Sequence, residues 1–187
     1  YNAIGQREII TVGTAVVRRA ANRSMEFSEL EKSNLTDNTC INKGATRIER
    51  FIHHIRNARS EDMMEFRITN YITAMESIVS TSEYKKKEKT SISVATIIST
   101  NIDEYKTNYK RINEIYDIRS QYVHGDHINK TSNEMTEISI YCDIVNRILC
   151  KYFMNDPVLL EYLENNEIES IQKIIDNKKL HLTTGST

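Results

Sequence analysis

Apolar residues recur along most of this 187-residue chain in alternating steps of three and four, the spacing that lines one face of an α-helix. Ile9, Val12, Val16 and Ala20 predict a helix over residues 5–21, and the turn-forming run at 33–44 reads as a loop. Ile48, Phe51, Ile52, Ile55 and Ala58 mark a second helix, with Arg47, Arg50, Arg56 and Arg59 on its opposite face. Ser60 is placed to cap the next helix, with Glu61 and Asp62 in its first turn. Met64, Ile68, Tyr71, Ile72, Met75 and Val79 form that helix's stripe, and Glu76 borders it. The charged run at 83–89 reads as a short basic connection, either simply solvated or able to hold phosphate. A short helix with Ile92, Ala95 and Ile98 follows.

The next stripe is longer. Tyr105, Tyr109, Ile112, Tyr116, Arg119 and Val123 share one face of a helix that Asn101 or Asp103 caps and Gly125 ends. Residues 126–133, including His127, are polar and predict a loop. Met135, Ile138, Cys142, Val145, Leu149 and Tyr152 then make the most regular stripe in the sequence, that of a core helix. Asp156-Pro157 is a helix start, cap then proline. Two short helices are predicted, through Tyr162 and over 168–175, before a disordered tail at 181–187.

With Gly 5 and Pro 1, turn formers are too few for the many short strands of a sandwich or barrel, so an all-α protein is expected. The length suits one domain, placed at 46–180 behind an N-terminal helix and polar loop at 1–45. Net charge is −1, which announces no global field for nucleic acid, although residues 1–59 carry a basic excess and 154–187 an acidic one. Cys40, Cys142 and Cys150 lack Cys-x-x-Cys spacing and read as reduced thiols of a cytoplasmic protein. His53 and His54 are adjacent and so diverge, which makes a poor metal pair. No apolar run approaches the roughly 20 residues of a membrane span, and no signal-peptide pattern is seen. Tyr1 in place of methionine is what a piece of a longer chain shows, and a fused or partner regulatory domain is then expected.

Arg119 interrupts an otherwise apolar face. A guanidinium carried into a buried stripe is costly unless a carboxylate, a phosphate or a polar cleft receives it. His124 lies five residues on, about 140° round an ideal helix, so one straight helix does not converge the two side chains. A long Arg reach, a distorted last turn before Gly125, or a second copy of the same helix is needed.

The string Tyr116, Asp117, Ile118, Arg119, Ser120, then Val123, His124 and Gly125 resembles the signature of HEPN domains, in particular the Apea-like group. The stretch from Ser60 through Glu76 and Ser77 resembles the earlier helix of that group, and the likeness spans roughly residues 47–153. It implies a HEPN-like bundle of long antiparallel core helices with short C-terminal helices, homodimeric through the Arg119–His124 helix. It implies Arg119 and His124 as catalytic, with Glu76 either orienting Arg119 or simply a surface carboxylate. Ser120 would set the imidazole tautomer, Tyr116 would stack a base or pack, and His127 would assist or be incidental.

The activity implied is metal-independent cleavage of RNA, without a cofactor, in a toxin or antiphage-defence setting. An imidazole exchanges protons near neutral pH and an arginine stays charged and grips phosphate in two places, so the pair suits attack of a ribose 2′-hydroxyl on the neighbouring phosphorus. DNA lacks that nucleophile. The alternative is a non-catalytic HEPN module that dimerises or binds nucleotides within a larger protein, and a third is a purely structural bundle.

Overall fold

The chain divides between Ala45 and Thr46, and the computed structural model describes residues 45–81 and 84–184. The helix expected at 5–21, the loop at 33–44 and Cys40 lie outside the described residues. Those described form seven helices and no strand: α1 (Arg47–Ser60), α2 (Met64–Val79), α3 (Lys86–Ile98), α4 (Ile102–His124), α5 (Ser132–Asn155), α6 (Pro157–Glu164) and α7 (Ile168–Thr184). The protein is all-α.

The helix starts follow side-chain chemistry. Thr46 opens α1 with a reciprocal capping box, its hydroxyl accepting from the Glu49 N–H while Glu49 Oε2 accepts from the Thr46 N–H at 2.7 Å. Thr131 and Glu134 repeat the device at α5, which therefore begins inside the loop expected at 126–133. Asp156 caps α6 ahead of Pro157. Ser60 does not cap α2. It is the last residue of α1, and its hydroxyl donates back to the Arg56 carbonyl at 3.0 Å. Met63 takes the cap position without a side-chain bond, and Glu61 Oε1 accepts the Met63 N–H at 3.2 Å.

α2 is the central helix. It packs against α1, α3, α4, α5 and α7, and Ile68, Ile72, Met75 and Ile78 on it are fully buried. Phe51 of α1, Ile112 and Ile115 of α4, Leu149 and Phe153 of α5, and Ile171 and Ile175 of α7 complete the core. Fully burying one such side chain stabilises by roughly 1.5–3 kcal/mol, so the shared core around α2 dominates the fold. α3 is buried nearly all round: Thr90, Ser91, Ser93, Val94, Ala95, Thr96 and Ile97 are inside, while the expected stripe residues Ile92 and Ile98 are only half-buried.

Two of the arginines on the face of α1 opposite its apolar stripe brace the bundle. Arg59 donates through Nε and Nη2 to Asp143 Oδ1 at 2.8 and 2.7 Å, and the Tyr71 hydroxyl joins the same oxygen at 3.0 Å, tying α1, α2 and α5. Arg47 Nη1 donates to the Ser77 and Ser80 carbonyls at the end of α2, at 3.1 and 2.9 Å, and its Nε reaches Asn166 Oδ1 at 2.6 Å. Arg111 lies 3.9 Å over the Tyr141 ring, whose hydroxyl donates to Asn108, linking α4 to α5. α7 continues to Thr184, past both the short helix and the tail start expected from sequence; residues 185–187 are outside the description. No helix among the described residues is long and apolar enough to cross a membrane.

Candidate active site

α4 carries both motif residues because its two ends are fixed. At the start, Asn101 Oδ1 accepts from the N–H groups of Asp103 and Glu104 at 3.1 and 2.9 Å. At the end, Gly125 turns left-handed at φ 75°, and its N–H and that of Asp126 donate to the Tyr122 and Gln121 carbonyls. A Cβ built at Gly125 would meet nothing within 4 Å, so the backbone conformation, not crowding, calls for glycine here.

Arg119, on the penultimate turn, faces α2. Its Nη1 donates to Glu76 Oε1 at 3.1 Å, and the Glu76 side chain is only 6% exposed while that of Arg119 is 32% exposed. The second carboxylate oxygen faces Lys86 Nζ at 3.6 Å, from the first turn of α3. One buried carboxylate thus holds two half-buried cations, and three helices meet on it. Tyr116, one turn before Arg119, and Thr90, one turn after Lys86, fill the inside of this junction. Their hydroxyls and Arg119 Nε are buried without a hydrogen-bond partner. Burial, and then the Glu76 carboxylate, raise the Tyr116 hydroxyl well above the usual tyrosine value, so it stays a neutral donor. Tyr116 packs and cannot stack a base.

The last turn of α4 is open. Val123, expected on the buried stripe, is 61% exposed, because the stripe continues past Ile118, the last buried residue of α4. His124 is exposed and makes no hydrogen bond, ion pair or ring contact among the described residues. It lies about 140° round the helix from Arg119, so one chain does not aim the two at a common point. Ser120 is exposed too, and no hydrogen bond joins it to His124. His127 is exposed in the loop after Gly125, likewise without a partner. Beside this open turn, Phe66 of α2 contacts the Tyr122 ring at 6.4 Å between centroids, and Met63, Phe66 and Val123 are all exposed.

No family model, curated protein or solved structure matches the chain.

Geometry therefore carries the functional reading. Among the described residues no group of three or more His, Cys, Asp or Glu could hold a metal ion; the His53 and His54 rings meet edge to face at 5.4 Å. Cys142 is buried and Cys150 half-buried, and burial pushes their thiols up to about 12 and about 11, which makes them poor nucleophiles. Lys86 is the site residue that sequence reasoning missed. Nothing in the sequence sets it apart from Lys85 and Lys87 on either side. A further link, Lys87 Nζ to Asp117 Oδ1 at 2.5 Å, holds the start of α3 against α4.

Proposed function

We propose that the chain is a HEPN-type domain acting as a metal-independent endoribonuclease, working as a homodimer through α4 in the cytoplasm, in a toxin or antiphage-defence setting. The observation that carries this reading is the Arg119 guanidinium anchored on the buried Glu76, one turn before an open helix end that offers an unpartnered imidazole. Because Glu76 engages one Nη, the exposed part of the guanidinium is left to meet a phosphate. The exposed Met63, Phe66 and Val123 beside that end supply an apolar surface for a second copy, and a two-fold pairing of α4 ends would bring Arg119 of one copy near His124 of the other.

In the reaction, the ribose 2′-oxygen attacks the adjacent phosphorus as the bond to the 5′-oxygen breaks. One His124 accepts the 2′-hydroxyl proton and the other donates a proton to the departing 5′-oxygen. Arg119 offsets the charge that builds on the phosphate oxygens. The products are a 2′,3′-cyclic phosphate and a free 5′-hydroxyl. The test is incubation of the purified chain with mixed RNA and excess chelator, followed by analysis of product ends, with His124→Ala alongside. Cyclic phosphate lost in the variant supports the reading. Products bearing a 5′-phosphate sink it, and a chain that dimerises without cutting RNA supports the non-catalytic module.

A further inference from the structure

α5 has a second apolar face, turned away from the core. Ile140, Ile144 and Ile148 follow at four-residue steps and are 50, 45 and 38% exposed, although Cys142, Val145 and Leu149 of the same helix are buried. Single exposed apolar residues need no explanation, but a continuous stripe does. Its two ends carry opposite charges, Glu137 seven residues before Ile144 and Lys151 seven after, both exposed. Seven residues are close to two turns, so all five positions fall within about 40° either side of Ile144 on an ideal helix.

The pattern is self-complementary. With a two-fold axis at Ile144 and a second helix laid antiparallel, Ile144 meets its own copy and Ile140 meets Ile148 of the second copy. Glu137 then meets Lys151 of the second copy, twice, once at each end. A random stripe has no reason to place opposite charges at equal distances from its centre.

We propose that this face docks a second copy of the chain in an isologous, antiparallel α5–α5 contact. The stripe is short, so association is weak and concentration-dependent. The contact is independent of the α4 pairing. A chain using both isologous contacts builds a closed four-chain assembly or an open filament.

Sedimentation of the full chain from micromolar to submillimolar concentration tests this, with circular dichroism to confirm folding. Ile144→Lys is expected to weaken self-association by about tenfold or more, which is about 1.4 kcal/mol or more. Glu137→Lys and Lys151→Glu each bring like charges together and weaken it as well. Mixing those two single variants restores association as a mixed pair, and a chain carrying both changes recovers self-association. Val123→Lys on α4 is the control. Loss of all association in V123K with full retention in I144K assigns pairing to α4 and overturns the proposal, as does a wild-type chain that stays monomeric throughout, or charge swaps that do not rescue one another.

Discussion

Replacing Arg119 by methionine removes one of two cations from a carboxylate that is almost wholly out of water. Breaking a buried ion pair by deleting one partner costs about 3–5 kcal/mol, because the other charge stays buried and unpaired. Here Lys86 remains 3.6 Å from Glu76, so the lower end, about 3 kcal/mol, is expected. The reverse change, Glu76→Gln, is milder. It strands two cations whose side chains are 32 and 30% exposed and can turn toward water, where a pair is worth only about 1 kcal/mol. The double variant lacks the stranded carboxylate and should be more stable than Arg119→Met alone, by about 1–2 kcal/mol. For a chain of this size each kcal/mol moves Tm by about 2–4 °C, so R119M should melt about 6–12 °C below wild type. Urea unfolding of the four proteins, with m-values compared, gives the coupling directly. Equal costs for the two single variants, or a double variant whose cost is their sum, would refute the shared-carboxylate account.

Three further outcomes are expected. His124→Ala should abolish RNA cleavage while leaving unfolding free energy within about 0.5 kcal/mol, since the ring is exposed and bonded to nothing; a large stability loss would show a structural histidine. Gly125→Ala strains the left-handed turn at φ 75°, costing about 1 kcal/mol, and should reduce cleavage by displacing the last turn. Unchanged stability would show that the turn is not held as described. Burial chiefly, and to a lesser degree His53 beside it, lower the His54 pKa from 6.5, against a raising hydrogen bond that His54 Nδ1 donates to Asn70 Oδ1. The unfolded chain then takes up the proton first. Stability should be full above the ordinary histidine value and fall as pH drops below it toward the lowered one. His54→Gln should flatten this limb of the Tm profile, and an unaltered slope would assign it to other groups.

Much of the fold was legible because spacing reports burial directly: Phe51, Ile72, Met75, Cys142 and Leu149 lie inside where their stripes put them. α3 was not. Its buried surface includes Thr90, Ser91, Ser93 and Thr96, and hydroxyl side chains read as surface in any hydropathy pattern. Val123 failed for a different reason, since periodicity persists to a helix end whether or not anything packs there. Ser60 misled because a good cap residue is also acceptable as the last residue of the preceding helix. At the site, Arg119 signalled itself as a charge in an apolar face. Glu76 lies 43 positions away, so only the HEPN resemblance put the two together at the sequence level. Lys86 needed the fold, because one lysine in a run of lysines carries no mark of where it will point.

The unpaired hydroxyls of α3 have a dynamic consequence. Thr90, Ser91 and Thr96 are sealed from solvent without partners, each forfeiting about 1–3 kcal/mol that hydration would restore. Swinging α3 outward recovers part of that loss, so its amides should exchange with deuterium earlier than those of α2 or α5. Lys86 departs with it. The same breathing motion that wets α3 would therefore release one of the two cations gripping Glu76, and leave the carboxylate to Arg119 alone.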